Sequence, residues 1–319
     1  MSEKTQNVPT PVMNSRIMEL IDRGETKKAQ DAATDYTRTQ VREESFAFKI
    51  LPPEKATDDM LDRDIDERLR IIWEKEPDGP AAKWVPLQTI PEGEYITSSR
   101  YIIPFARVLT PKFEKDLDEL RTTRMDIRKI LTDNSIKDGL KEIDGKFMTT
   151  VDSIVKAGGT PNTPSPITGK TQWITTTDPL NRETFAEAKK LLPRGTTNGK
   201  FRLRNYCALM NDVTAQNLLK LNRLEIGGDL AQEYWKNGLT TDTIMGVKCI
   251  FTIKDDLVKD NHVYFFAAPE FLGKCFYLTD WTMFMKKEAY FVEMFSYWLG
   301  GFAFGNVAGM ALCQFETAS

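Results

Sequence analysis

Apolar residues recur at helical spacing along more than forty positions of this chain. They stand at 113, 117 and 120, at 127, 130 and 131, and then at 136, 140, 143, 147, 151, 154 and 155. A stripe of that length predicts one long helix as the mechanical axis of the fold. Thr110-Pro111 supplies a start signal, since proline is tolerated in a first helical turn. Gly158-Gly159 supplies the stop. Asp133-Asn134, Gly139 and Gly145 are the points at which the helix would be interrupted.

The segment before it, residues 77–109, has the opposite character. It is dense in proline and glycine and carries strand-like runs at Trp84–Leu87 and Tyr95–Val108, with Pro-Glu-Gly at 91–93 as a turn. Pro86 and Pro104 inside those runs point to edge strands. The reading is a projecting β-hairpin. A two-stranded ribbon has little core of its own, so Trp84, Val85, Ile90, Tyr95, Ile96, Tyr101 and Ile102 are expected to meet another subunit.

Residues 1–50 are polar, with a weak helical pattern at Ile17, Leu20 and Ile21, and read as an arm that orders against a neighbour. From Glu54 to Asp78 acids outnumber bases ten to five. The spacing fits no calcium loop, which needs a central glycine and a terminal glutamate, so a solvated helical face is expected. Beyond the loop at 160–169 the pattern mixes short helices and strands. A helix is expected over Thr184–Leu192, a strand over Tyr206–Met210, a helix capped by Asn211-Asp212 through Leu221, and strands around Met245-Gly246-Val247 and over His262–Ala268. Aromatic-rich strands follow over Tyr290–Tyr297 and Ala308–Phe315. The fold class is α+β.

The chain has 319 residues, more than one small core needs, which implies two lobes or one domain with long extensions. A net charge of −3 argues against tight nucleic-acid binding, which calls for excess Lys and Arg. The basic and aromatic run at 200–207 reads as a solvated strand edge. Met294–Phe315 is 22 residues without formal charge and could span a bilayer. Ser296, Asn306, Gln314 and four glycines make two buried strands around a turn the better account, and no membrane partner is expected. The N-terminus has no apolar core of a secretory signal.

Catalytic chemistry has little to work with. His262 is the only histidine, so a triad or Cys-His pair would have to use it. Cys207, Cys249, Cys275 and Cys313 are widely spaced, form no CxxC, and read as small buried hydrophobes. No phosphate-binding or dinucleotide-binding glycine motif is present. Gly227-Gly228 and Gly300-Gly301 read as turns. No catalytic residue, cofactor or metal site is assigned. With one histidine, any acid-triggered change would come from carboxylates, first those at 58–67.

The order of these pieces is itself a signal: polar arm, hairpin, long helix, mixed α/β region, aromatic strands. It resembles the major capsid protein of tailed bacteriophages, the Hong Kong-type shell fold shared with herpesvirus shell floors and encapsulins. AAKWVPLQTIPEGEYITSSRYIIPFARVLTPKFEKDLDEL (81–120) resembles the family's extended loop running into its spine helix. YCALMNDVTAQNLLKL (206–221) resembles a strand, asparagine, helix step in its axial domain, and GLTTDTIMGVKCIFTIKDDLVKDNHVYFFAAPEFLGKCFYLTD (238–280) its following strands and turns. The resemblance covers roughly residues 45–316.

The resemblance implies an arm at 1–64, an extended hairpin loop at 65–108, a peripheral domain at 109–164 and 283–303, and an axial domain at 165–282 and 304–319. It implies a structural, non-enzymatic late protein of the virion, assembled in the host cytoplasm. Hexamers and pentamers of it would enclose double-stranded DNA without reading its sequence. An encapsulin-like nanocompartment shell is the alternative. A scaffolding protein, a portal, and decoration or cement proteins are the implied partners, beside other copies of the chain. The arm is too short for the long assembly domain of some relatives. Lys83 lies near the hairpin, but no motif fixes a partner for the covalent cross-link found in one relative.

Overall fold

The computed structural model describes residues 45–62, 69–74, 99–116, 127–192, 196–197, 201–218, 243–288 and 290–315, with Arg23, Lys27 and Trp84 as isolated positions. Most of the arm, most of the hairpin tip and Gly227-Gly228 lie outside the described residues. The chain forms two compact units. One comprises residues 1–49, 105–145 and 276–301, the other 50–104, 146–275 and 302–319.

In chain order the elements are helix α1 (Phe46–Ile50) and strands β1 (Pro53–Lys55), β2 (Arg70–Glu74), β3 (Arg100–Pro104), β4 (Ala106–Leu109) and β5 (Phe113–Asp116). The long helix α2 (Ile127–Val155) follows, then β6 (Trp173–Thr176), helix α3 (Arg182–Lys189), the short strands β7 (Thr196–Thr197) and β8 (Phe201–Arg202), β9 (Asn205–Asn211) and helix α4 (Asp212–Leu218). The last part holds β10 (Thr243–Ile244), β11 (Val247–Thr252), β12 (His262–Ala267), helix α5 (Pro269–Leu272), β13 (Gly273–Glu288), β14 (Phe291–Phe304) and β15 (Met310–Phe315).

The second unit is built on a six-stranded sheet in the order β10-β11-β9-β12-β15-β6. β11 runs parallel to β9 and β6 parallel to β15, while β12 is antiparallel to both its neighbours. Both faces are covered, so its inner strands read as continuous apolar runs rather than as alternation. Cys207, Ala208, Leu209 and Met210 are all fully buried. One face packs Ala208, Met210, Cys249, Val263, Phe265 and Cys313 against Leu180, Phe185, Ala188 and Leu192 around α3. On the other face Phe147 of α2 sets its ring 5.9 Å from Phe266, 5.7 Å from Phe302 and 5.4 Å from Phe304.

Local chemistry explains several boundaries. Asn181 caps α3, its Oδ1 accepting from Thr184 N while its own N–H donates to Thr184 Oγ1, each at 2.8 Å, so the helix begins ahead of Thr184. Asn211 Oδ1 accepts from Val213 N at 3.2 Å and starts α4. Met245 and Gly246 both take positive φ, 50° and 76°, as a two-residue hairpin turn between β10 and β11 requires.

In the first unit β13 and β14 lie side by side, and β14 pairs antiparallel with β4 at Tyr297–Gly300 and with β5 at Phe291–Met294. Trp281, Met283, Val292, Met294 and Trp298 are buried there. Buried Asp144 accepts from Ser45 Oγ at 2.7 Å and from Ala47 N at 3.1 Å, so its charge is met by donors from the α1 turn.

Several expectations are corrected. Phe113–Asp116 is a strand, not the first turn of the helix: pairing with β14 overrides helical spacing, and Lys112 bonds both Glu114 and Glu293 across the pair. α2 is not interrupted at Asp133-Asn134, Gly139 or Gly145. A Cβ at Gly139 would stand 2.1 Å from the Trp281 ring, so glycine is there to admit the indole. Among the described residues of the acidic region, Pro53–Lys55 and Arg70–Glu74 are strands and Asp58–Met60 makes a single helical turn, rather than a continuous helical face; residues 63–68 and 75–78 lie outside the described residues.

Gly300-Gly301 lies within β14 rather than at a turn, and a Cβ at Gly300 would meet the Trp298 ring at 2.3 Å. The 200–207 run divides: Phe201–Arg202 pairs with Thr196–Thr197 in a two-stranded sheet, as an edge strand, whereas β9 lies inside the six-stranded sheet. β13, sixteen residues long, was not anticipated. Met294–Phe315 does fold as two strands around a turn, and among the described residues no helix is long and apolar enough to cross a membrane. All four cysteines are free and buried, as expected.

Candidate assembly surface

The described base of the hairpin is the antiparallel pair β2–β3, with Ile71 opposite Ile103, Ile72 opposite Ile102 and Trp73 opposite Tyr101. Opposed residues share a face, so the register sorts the side chains into two sets. The inner set is Ile71, Trp73, Tyr101 and Ile103. Ile71 and Ile103 are fully buried, and Trp73 and Tyr101 are half-buried. Tyr101 lies so close to Gly305 that a Cβ there would stand 2.7 Å from its ring. Burial and the nearby Glu54 carboxylate push the Tyr101 hydroxyl up to about 12. Lys274 sits 5.7 Å from the centre of the Trp73 ring and bonds Glu54 Oε1 at 2.6 Å, tying the ribbon base to β1 and the start of β13.

The outer set is Arg70, Ile72, Glu74, Arg100, Ile102 and Pro104. Ile72 is 39% exposed and Ile102 53% exposed. They are flanked by two ion pairs, Arg100–Glu74 at 3.0 Å and Arg70–Asp62 at 2.8 Å. An apolar strip framed by salt bridges therefore faces outward. Trp84 is fully exposed, while Ile90, Tyr95 and Ile96 lie outside the described residues. Of the seven residues singled out on the hairpin, the ribbon places Tyr101 inward and Ile102 outward. Sequence reasoning missed Ile72, because its partner lies thirty positions away and only the register reveals the pair.

The first unit has its own exposed apolar residues. Tyr290, between β13 and β14, is 72% exposed and Phe291, the first residue of β14, 48%, close in sequence to Lys286, Lys287 and Glu288, and Leu109 is exposed on β4. Adjacent aromatics beside a charged turn were the available signal.

His262 belongs to a polar ladder across the second unit's sheet. Its Nδ1 donates to Asp260 O at 2.8 Å, and its Nε2 accepts from Gln314 Nε2 at 2.7 Å. Gln314 Oε1 in turn accepts from Thr175 Oγ1 at 3.0 Å. The neutral imidazole satisfies both contacts, and burial holds its pKa below the usual 6.5. Burial raises the thiols of Cys207, Cys275 and Cys313 to about 12, which leaves them poor nucleophiles. Among the described residues no cluster of three or more His, Cys, Asp or Glu side chains is placed to hold a metal ion.

No protein-family model matches the sequence, and no curated protein does either. Solved structures do. A chain from Microbacterium phage Oxtober96 superposes with a TM-score of 0.57 at 10% identity, over 86% of this chain and 91% of that one. The mature capsid of bacteriophage PhiM1 gives 0.52 at 9% identity, over 80% and 84%. A virus-like particle from Pyrococcus furiosus gives 0.50 at 12% identity, over 90% and 99%.

Proposed function

We propose that this chain, which has the major capsid fold of tailed phages, is a structural subunit of an icosahedral viral shell that encloses double-stranded DNA. The observation that carries the reading is the fold shared with the PhiM1 mature capsid over most of both chains. The uncovered strip at Ile72 and Ile102 supplies a surface for it. Copies would gather as hexamers and pentamers, with residues 65–108 lying on a neighbouring subunit and the arm at 1–64 tying it further. The peripheral parts (109–164, 283–303) would join capsomers, and the axial parts (165–282, 304–319) would surround capsomer centres. Many modest, repeated interfaces sum to a closed shell.

In this reading Trp84, Ile90, Tyr95, Ile96 and Ile102 belong to the subunit interface together with Ile72, while Tyr101 packs inward within its own chain. The subunit catalyses nothing and takes no cofactor or metal. Its partners are further copies, a scaffolding protein, a portal, and decoration or cement proteins, and it acts in the virion after assembly in the host cytoplasm. The test is expression of the full chain, alone and with a scaffold, followed by negative-stain microscopy. Uniform closed particles or curved sheets are expected; a strictly monomeric, fully ordered protein overturns the proposal.

An encapsulin-like nanocompartment shell is the second reading, since the fold is shared also with a virus-like particle from Pyrococcus furiosus over 99% of that chain. The contents of particles from their native source separate the two: nuclease-resistant DNA for a capsid, protein cargo for a compartment.

A further inference from the structure

The six-stranded sheet ends at β6, whose sequence Trp-Ile-Thr-Thr is uncharged and strand-prone. An edge of that kind is a template for another strand unless something covers it. In a parallel pair, alternate residues turn their backbone groups toward the neighbour and the rest turn them outward. Leu312 N donates to Gln172 O at 2.7 Å, which puts Gln172 on the inward phase and Trp173 and Thr175 on the outward one.

One residue meets that outward edge. Asn162 N donates to Trp173 O at 2.8 Å. The Asn162 side chain spans Thr175, its Oδ1 accepting from Thr175 N at 3.3 Å and its Nδ2 donating to Thr175 O at 3.4 Å. Asn162 thus occupies three backbone groups that a seventh strand would use. It does so at φ +62°, a left-handed conformation that asparagine tolerates better than most residues. The loop behind it is held by Ser165 N to Lys170 O at 2.9 Å and Gly169 N to Ser165 O at 2.8 Å.

We infer that Asn162 is an edge guard: it denies β6 to an extended strand of a second copy of this chain, so that copies meet elsewhere. The inference stands whether or not the chain builds shells. It is tested with Asn162→Gly, which keeps the left-handed turn and removes the amide. The variant is expected to fold with an unchanged far-ultraviolet spectrum. Its Thr175 amide should exchange with deuterium about fivefold faster, the effect of losing one typical hydrogen bond. It should also form thioflavin-positive aggregates at concentrations where the parent chain does not. Adding Thr175→Pro, which deletes the outward N–H, should suppress those aggregates.

Asn162→Asp keeps the accepting oxygen and loses the donor, and should fall between parent and glycine variant in both readouts. It serves as the test should the glycine variant not fold. Unchanged Thr175 exchange, or aggregation no different from the parent's, overturns the inference.

Discussion

The sheet of the second unit and the ribbon β2–β3 belong to the same compact unit, yet they use apolar residues in opposite ways. The sheet buries both faces, so Leu209, Phe265, Phe266 and Leu312 are wholly enclosed. The ribbon buries Ile71 and Ile103 and leaves Ile72 and Ile102 facing outward. Apolar area removed from water stabilises by about 25 cal/mol per Å² wherever it is buried. The sheet therefore secures the fold of the single chain, whereas the outer strip of the ribbon contributes its share only when something else covers it.

The largest effect should come from the enclosed side. Phe147 is fully buried and touches three other phenylalanines. Phe147→Ala removes those contacts and leaves a cavity, for an expected loss of about 3–5 kcal/mol. Denaturant unfolding of the soluble subunit measures it. A loss under about 1 kcal/mol would mean that the helix does not close this face.

The same contrast explains what could be read from the sequence. β9 and β12 were legible because strands enclosed on both faces are continuous apolar runs, as in Cys-Ala-Leu-Met and Val-Tyr-Phe-Phe. The cap of α4 at Asn211 was legible because its chemistry is local, whereas Met245-Gly246, read as part of a strand, is the turn between β10 and β11, and the Asn181 cap of α3 was missed. The strands at Arg70–Glu74 and Phe113–Asp116 were not, because each depends on a partner far along the chain, at 100–104 and 291–294. β13 does carry an alternation, with Trp281, Met283 and Met285 buried between Thr282 and Phe284, but without β14 beside it nothing says which face is inward. For the same reason the ribbon was legible as a segment, but its exposed strip was not. Only the register puts Ile72 beside Ile102, while Tyr101, which looked equally available, turns inward against Gly305.

A smaller effect, and one that depends on pH, should come from the ladder at the margin of the sheet. His262 has its pKa lowered from 6.5, first by burial, although the Asp260 carbonyl opposes that shift; Lys156 and Lys259 add to the lowering and Asp152 works against it. Below the unfolded value the unfolded chain takes up a proton that the folded chain refuses, so acid favours unfolding. The neutral ring's contribution is complete at pH well above 6.5 and declines as pH falls through 6.5 toward the lower folded value. Melting midpoints from about pH 8 to about pH 5 should fall less steeply in His262→Gln than in the parent. Identical slopes would assign the acid sensitivity to carboxylates alone.

The smallest effect on stability should come from the strip itself, and the comparison turns on it. Ile72 and Ile102 stand opposite each other on the face of the ribbon that the subunit leaves uncovered. Ile72→Ser with Ile102→Ser removes the apolar area of the exposed pair and leaves Ile71 and Ile103 in place. The free subunit should lose about 1 kcal/mol, because about half of each side chain already faces water there. If the strip is covered by a second copy, each contact loses up to about 1.5–3 kcal/mol per side chain, and a closed shell repeats that loss at every equivalent interface. Melting of the soluble variant should therefore match the parent while particle counts by negative-stain microscopy collapse. A variant that melts far below the parent would show that the strip is core to the single chain. Normal shells from a normally folded variant would move the contacts between copies to another surface, with Tyr290 and Phe291 as the next pair to replace.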